Sequence, residues 1–310
     1  MAKVARSLAG QVVAITGGAR GIGRATAAAL ISQGAQLAIG DIEAPLAERT
    51  AQELGSGTVG LPLDVTDRAS FSDFLDQVES RLGPLDVLIN NAGIMPVGPF
   101  VAETDATATR MIDINLHGVI FGSKLALTRF LARGRGHLVN IASSAGKAGL
   151  AGGATYCATK HAVVGLSEAI RAEVRGTGIG VTVVMPVGVN TELYSGLPAP
   201  RGIKTAEPED VANAIVEALQ TDRFDVYVPK SMNALFRMQA LLPRKVSEAI
   251  GRVLKGDQLL VSPDEGARAA YARRIEAMGS KAPAALEAPV APEAPVAPEA
   301  PQPGRAKQTA

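Results

Sequence analysis

The chain has 310 residues, a formal net charge of +1 and 47% hydrophobic residues, enough to bury a sizeable core as one large α/β domain or two smaller ones. The balanced charge argues against a nucleic-acid partner. One cysteine, Cys157, excludes an intrachain disulfide and fits a reducing cytoplasm, and three scattered histidines (His117, His137, His161) offer no metal-ligand spacing. After MAKVARS the chain enters a strand and a glycine turn at once, so these apolar residues read as core and not as a signal peptide. No apolar stretch reaches the roughly 18 residues of a membrane span.

Gln11–Thr16 (QVVAIT) is a short β-branched run, followed by GGARGIG and a helical pattern from Gly21 to Gln33. Strand, glycine turn and helix in that order make a seat for a pyrophosphate: the helix N-terminus has free N–H groups and a partial positive charge. The glycines Gly17, Gly21 and Gly23 are spaced GxxxGxG, and they let backbone approach a phosphate without a Cβ in the way. The next strand, Gln36–Gly40, runs into Asp41, 24 positions beyond Gly17. A carboxylate there accepts hydrogen bonds from an adenosine ribose and repels a 2′-phosphate, which favours NAD. Arg20, inside the glycine turn, is the contrary sign, since a guanidinium can meet that phosphate. NADP therefore stays open.

Thr58–Leu63 reads as a third strand ending at Asp64, and Asp67–Leu82 as an amphipathic helix with Asp67 as its N-cap. Asp86–Asn90 is a fourth strand running into NNAG (90–93), whose amides can brace backbone or simply form an Asx turn. A long helical region follows from about Thr104 to Arg133, with Asn115 in its middle. Asparagine competes for backbone hydrogen bonds, so a local kink is expected at that point. Gly136–Ala142 is a buried fifth strand, Gly180–Met185 a sixth, Glu207–Thr221 a helix and Phe224–Val228 a last strand. Strands alternating with helices predict a doubly wound parallel sheet covered on both faces.

Ser143 falls just past the fifth strand, at the edge where open α/β sheets bind ligands. Tyr156 and Lys160, four apart, share one face of the following helix. A YxxxK pair by itself is more often a half-buried tyrosine beside a solvated lysine. It gains meaning from the cofactor turn upstream.

Taken together, TGGARGIG (16–23), Asp41, LDV (63–65), NNAG (90–93), Asn115, Ser143, YCATK (156–160) and PVGVNT (186–191) resemble the short-chain dehydrogenase/reductase family, in its branch of one-domain members, over roughly residues 8–228. The resemblance implies a Rossmann-type fold and a role for each matching position. Gly17, Gly21, Ile22 and Gly23 line the pyrophosphate, Asp41 holds the ribose, and Asp64 with Val65 flanks the adenine. Asn91, with Ala92 and Gly93, braces the cofactor crevice. Tyr156 is the general acid/base, Lys160 binds the nicotinamide ribose, Ser143 orients the substrate oxygen, and Asn115 holds a water linking Lys160 to solvent. In the segment opened by Pro186, Val189 and Thr191 match the positions expected to meet the nicotinamide carboxamide and phosphate. The family pattern there is PGxVxT, whereas this chain has Val187 second and glycine displaced to Gly188, which puts the backbone of that turn in question.

The expected enzyme is an NAD-dependent oxidoreductase, with NADP open, acting on an apolar alcohol or carbonyl compound, because Leu193, Tyr194 and Leu197 follow Thr191. An NADP-dependent ketoacyl-type reductase is the alternative, and a non-catalytic dinucleotide-binding scaffold a third reading. The resemblance also implies a homodimer or homotetramer through the helices at about 104–133 and 154–175. Residues 1–230 are expected to form the NAD-binding catalytic domain and 231–281 a C-terminal helical extension. Residues 282–310, rich in Ala, Pro and Glu, read as a disordered tail. In 230–255, Leu235, Met238, Leu242, Val246, Ile250 and Val253 recur at helical steps. There Lys230, Arg237, Arg244, Lys245, Arg252 and Lys255 stand against Glu248 alone. That pattern fits a helical cover on the domain, or a basic surface helix giving a cytoplasmic enzyme peripheral membrane contact.

Overall fold

The computed structural model describes residues 6–198, 205–243, 245–246, 249, 260–261 and 263–277. Seven parallel strands form one sheet in the order β3-β2-β1-β4-β5-β6-β7. They are β1 (Val12–Thr16), β2 (Gln36–Asp41), β3 (Val59–Pro62), β4 (Val87–Asn90), β5 (Gly136–Ile141), β6 (Ile179–Pro186) and β7 (Asp225–Val228). The sheet is assembled outward from β1, with β2 on one side and β4 on the other. Strand order therefore reverses between β1 and β4, and a crevice opens beyond their carboxyl ends.

The expected doubly wound architecture is present. Helices α1 (Gly21–Ser32) and α2 (Ala44–Leu54) follow the first two strands, and α3 (Arg68–Leu82) follows the third. Along β1, Val12 and Ala14 face one hydrophobic core while Val13 and Ile15 face the other. All four are buried, because a central parallel strand must be apolar on both faces. On one side Phe71, Phe74, Leu75 and Val78 of α3 pack with the helices that follow β4 and β5. Phe71 and Phe74 meet edge to face with centroids 6.4 Å apart, and each fully buried side chain of this size contributes roughly 1.5–3 kcal/mol. On the other side Ala27 and Leu30 of α1 pack with Val211, Ile215 and Leu219 of α7 (Pro208–Thr221).

Local chemistry sets the helix ends. The Asp67 carboxylate accepts from Ala69 N at 2.9 Å, so the expected cap is in place. At α7 Glu207 and Asp210 form a reciprocal capping box, with Pro208 in the first turn. The expected single helix over 104–133 is divided: α4 (Asp105–Ile112) and α5 (Gly118–Arg133) are joined by one π-helical turn, Asp113–His117. Asn115 lies inside that turn, so the kink expected from a mid-helix asparagine takes the form of a π-bulge. Helix α6 (Ala154–Glu173) carries Tyr156 and Lys160.

Past the sheet, α8 (Met232–Leu241) ends just before Pro243. Leu235 and Phe236 pack toward the core, and Phe236 stacks on Tyr227 with centroids 5.7 Å apart. Met238 and Val246, two positions of the expected stripe, are exposed. Lys230 ion-pairs with Glu217 of α7 at 2.7 Å, which offsets one charge of the basic run. Arg244, Glu248, Ile250, Arg252, Val253, Lys255 and the whole 282–310 segment lie outside the described residues. Helix α9 (Glu265–Ala277) closes the described chain. No helix among the described residues is long and apolar enough to cross a membrane.

Candidate active site

The glycine turn is built for close backbone approach. Gly17 and Gly21 have φ of +61° and +52°, a region that disfavours any side chain. A Cβ on Gly23 would lie 2.4 Å from the Gly17 carbonyl oxygen and 2.8 Å from Asn91 Nδ2. The turn is pinned to the end of β4: Asn91 Nδ2 donates to the carbonyls of Thr16 and Gly17 at 2.9 and 3.0 Å. The backbone N–H groups of Asn91 and Ala92 both donate to Thr16 Oγ1 at 3.0 Å. Helix α1 starts with no side-chain cap and no acidic residue in its first turn, and Ile22 is half-buried there beneath the turn. Its N-terminal N–H groups are thus left for an external anion. These residues fit a dinucleotide pyrophosphate.

Asp41 ends β2 and is 9% exposed. Its carboxylate accepts from Ala19 N at 3.4 Å and Glu43 N at 3.2 Å. Burial pushes its pKa up, against the two backbone N–H groups and the Arg20 guanidinium, which pull it down. Arg20 is spoken for: it reaches Glu43 at 2.5 Å and Glu192 at 3.4 Å. Further along the crevice, Asp64 accepts from the backbone N and the hydroxyl of Thr66 at 3.0 and 2.6 Å. Val65 is buried against Gly118, where a Cβ would approach within 3.0 Å.

Beyond the carboxyl ends of β4, β5 and β6 the remaining expected residues come together. Ser143 follows β5 with its hydroxyl near enough to act on the Tyr156 phenol; it donates to the Pro186 carbonyl at 3.5 Å and accepts from Ala145 N at 3.1 Å. Lys160 Nζ lies 5.7 Å from the Tyr156 ring centroid and donates to the Ile141 carbonyl at 2.9 Å. Burial raises the Tyr156 pKa well above that of a free phenol, the Ser143 hydroxyl opposing it, and burial lowers Lys160 to about 8. The phenol is therefore a protonated donor at neutral pH until a further positive charge enters the cleft. Asn115, fully buried, grips one residue from both sides: its Oδ1 accepts from Ile94 N at 2.8 Å and its Nδ2 donates to Ile94 O at 2.9 Å. Gly93 lies between Asn115 and Lys160; a Cβ there would sit 3.2 Å from Asn115 Oδ1 and 3.6 Å from Lys160 Nζ.

The turn after Pro186 is tied to the end of β7. Val187 is buried and donates its N–H to the Val228 carbonyl at 2.9 Å. Neither Val187 nor Gly188 has a positive φ, so valine is accommodated without strain. Gly188 is small because the Tyr194 ring lies 2.9 Å from where its Cβ would be. Val189 bridges to Ala206, and the Thr191 methyl packs 3.4 Å from the Cβ position of Gly21. The chain after Thr191 thus lies against the cofactor turn.

Three contributors escaped the sequence reading. Glu43 was legible in principle, as a second acid two residues past Asp41. Glu192, which joins Arg20 to Arg274 of α9, carries no local signal, and although 263–277 reads as a helix, nothing local places it against the site. Tyr271 and Ile275 of α9 fall in the same buried cluster as Tyr156, with Ile94, Met95 and Met111.

A crevice at the strand-order reversal, a glycine cradle and a Ser–Tyr–Lys group beside it define a dinucleotide-dependent oxidoreductase architecture. The short chain dehydrogenase family model matches residues 11–201, and the chain belongs to the short-chain dehydrogenase/reductase family of oxidoreductases. It is 38% identical over 193 residues to a sorbitol dehydrogenase of Cereibacter sphaeroides, covering 62% of this chain and 75% of that one. It is 32% identical over 254 residues to 17-beta-hydroxysteroid dehydrogenase 13 of Rattus norvegicus, covering 80% and 84%. A short-chain dehydrogenase/reductase from Burkholderia phymatum, solved in complex with NAD, superposes with a TM-score of 0.70 at 26% identity, over 76% of this chain and 94% of that one.

Proposed function

We propose that the protein interconverts an apolar secondary alcohol and its ketone with NAD(H), using Tyr156 as general acid/base. The observation that carries this reading is Lys160 Nζ 5.7 Å from the Tyr156 ring, with the Ser143 hydroxyl acting on the same phenol, beside a turn whose Gly23 has no room for a Cβ. The dinucleotide, when bound, supplies or accepts the hydride. In reduction Tyr156 donates its phenolic proton to the carbonyl oxygen as that oxygen becomes a hydroxyl. In oxidation the phenolate takes the hydroxyl proton back. Ser143 holds the substrate oxygen against Tyr156, and the Lys160 ammonium stabilises the phenolate left after donation. Asn115 keeps Ile94 and Gly93 in place beside Lys160, and the water it would hold for proton resupply belongs to the same proposal.

NAD is favoured over NADP because Asp41, Glu43 and Glu192 place three carboxylates around Arg20. The substrate is taken as apolar because Ile94, Met95, Met111, Leu193 and Leu197 gather around Tyr156. A steroid-named relative is in keeping with that. The proposal keeps residues 1–230 as the catalytic domain and 231–281 as its extension. It also takes a homodimer or homotetramer as the working form and peripheral membrane contact through 230–255 as its setting. Tyr156→Phe tests the chemistry: turnover of secondary alcohols should fall by about 10²–10⁴-fold, the share of a positioned acid/base, with NAD binding kept within a few-fold. Retention of most activity would remove Tyr156 from its role.

A further inference from the structure

Helix α9 reaches the cleft from about 115 residues beyond Tyr156 in sequence, and its seating is specific. The Tyr271 hydroxyl accepts from Met95 N at 2.6 Å, and Arg268 donates to Met95 O at 2.8 Å. Both backbone groups of Met95 are thus held by α9, as both of Ile94 are held by Asn115. The same Arg268 guanidinium donates to the carbonyls of Leu193 and Ser195 at 3.2 and 2.9 Å, on the loop after Thr191. A buried guanidinium needs acceptors for its N–H groups; here three carbonyls from two cleft-lining loops receive it.

The approach to α9 is fitted as closely. Leu260 is 2% exposed and rests on the Gly152–Gly153 turn directly before α6. A Cβ on Gly152 would lie 2.3 Å from the Leu260 carbonyl oxygen, and one on Gly153 would lie 2.6 Å from its side chain. At the far end Arg110 of α4 binds the Ile275 carbonyl, and Arg274 pairs with Glu192. The apolar side of α9 then presents Tyr271 and Ile275, 4% and 8% exposed, to the cluster containing Tyr156.

We propose that α9 is a wall of the substrate pocket, and that Tyr271 and Ile275 are specificity-determining residues that limit the bulk of the apolar ketone or alcohol reaching Tyr156. This rests on the ketone–alcohol reading above. A helix serving only to shield the core would not need both backbone groups of Met95, next to the residue that Asn115 grips. The ring of Tyr271 is held in place by its hydroxyl at one end and by guanidinium groups over it, Arg268 at 4.9 Å and Arg274 at 5.5 Å. It is therefore a stiff wall and not an adaptable one.

The test compares wild type with Tyr271→Ala, Tyr271→Phe and Ile275→Ala on a graded series of cyclic ketones with NADH, from one ring to fused rings. Tyr271→Ala and Ile275→Ala should raise the bulky-to-compact ratio of kcat/KM tenfold or more, chiefly through KM. Tyr271→Phe, which keeps the ring, should retain the wild-type order. A ratio unchanged in both alanine variants overturns the proposal. Hydrogen exchange over 265–277 gives a reading that does not depend on turnover: amides there should slow when a fused-ring ketone is added to the wild-type protein with NADH. Unchanged exchange at saturating ketone also overturns the wall. Slowed exchange with no turnover of any ketone would instead keep the wall and remove the proposed reaction.

Discussion

Cofactor choice turns on one charge cluster, and removing Asp41 tests it most directly. Glu43 and Glu192 share two guanidinium groups, Arg20 and Arg274, and Asp41, held by backbone N–H groups, lies in the field of Arg20. A ribose 2′-phosphate arriving beside Asp41 meets a fixed, nearly buried carboxylate. At a separation of about 6 Å and an effective dielectric of ~20, each like-charge pair costs about 3 kcal/mol before salt screening. Asp41→Ala should therefore shift the NADPH-to-NADH ratio of kcat/KM toward NADPH by roughly 1–3 kcal/mol, or about 5–150-fold. Glu43→Gln should act in the same direction by releasing Arg20 to the phosphate. The double variant should depart from additivity because both changes act on the same phosphate, Asp41→Ala by lifting repulsion and Glu43→Gln by freeing Arg20. Initial rates with both cofactors at low and moderate salt measure this, and adding Arg20→Ala to the double variant should take back the gain from Glu43. A wild type that already prefers NADPH, or an Asp41→Ala ratio within twofold of wild type, refutes the reasoning.

Gly23→Ala should cost dinucleotide affinity and about 1–3 kcal/mol of stability, since its Cβ would meet the Gly17 carbonyl at 2.4 Å; cofactor titration and denaturant melts read the two effects. His137, 1% exposed and bonded to Thr182 Oγ1 at 2.8 Å, has its pKa lowered by burial to about 4. The unfolded chain protonates first as pH falls, so the stability this neutral imidazole keeps above pH 6.5 should be lost progressively toward pH 4. The loss is on the order of 3 kcal/mol, and a flat stability profile over that window would contradict it. Light scattering at micromolar concentration should give a dimer or tetramer. Sedimentation with anionic vesicles at low salt, released as salt rises, should report the basic 230–255 segment; a monomer, or no vesicle binding, removes the respective claim.

Much of the site was legible because its parts are local. The glycine turn depends on three positions within seven residues, and the Tyr156–Lys160 face on a spacing of four. The strands appear as apolar runs because a parallel strand buried on both faces has no polar side to show. Asn115 betrayed the π-turn through its poor fit to a helix interior. Even the Val187 departure was visible, though only the backbone course showed it to be harmless.

What the sequence could not determine is every contact made across distance. Arg20 reads as a group able to meet a 2′-phosphate, and only folding brings Glu192 to it from 172 residues away. Residues 263–277 read only as one more helix, yet Tyr271 and Arg268 find Met95 across 176 and 173 residues. No periodicity encodes such a meeting, because side-chain spacing reports only which residues share a face. Which face covers which loop is settled by the packing of the whole sheet. The chemistry of the Ser–Tyr–Lys group was therefore written locally, while the charge balance at the ribose end and the wall opposite Tyr156 came only with the tertiary structure.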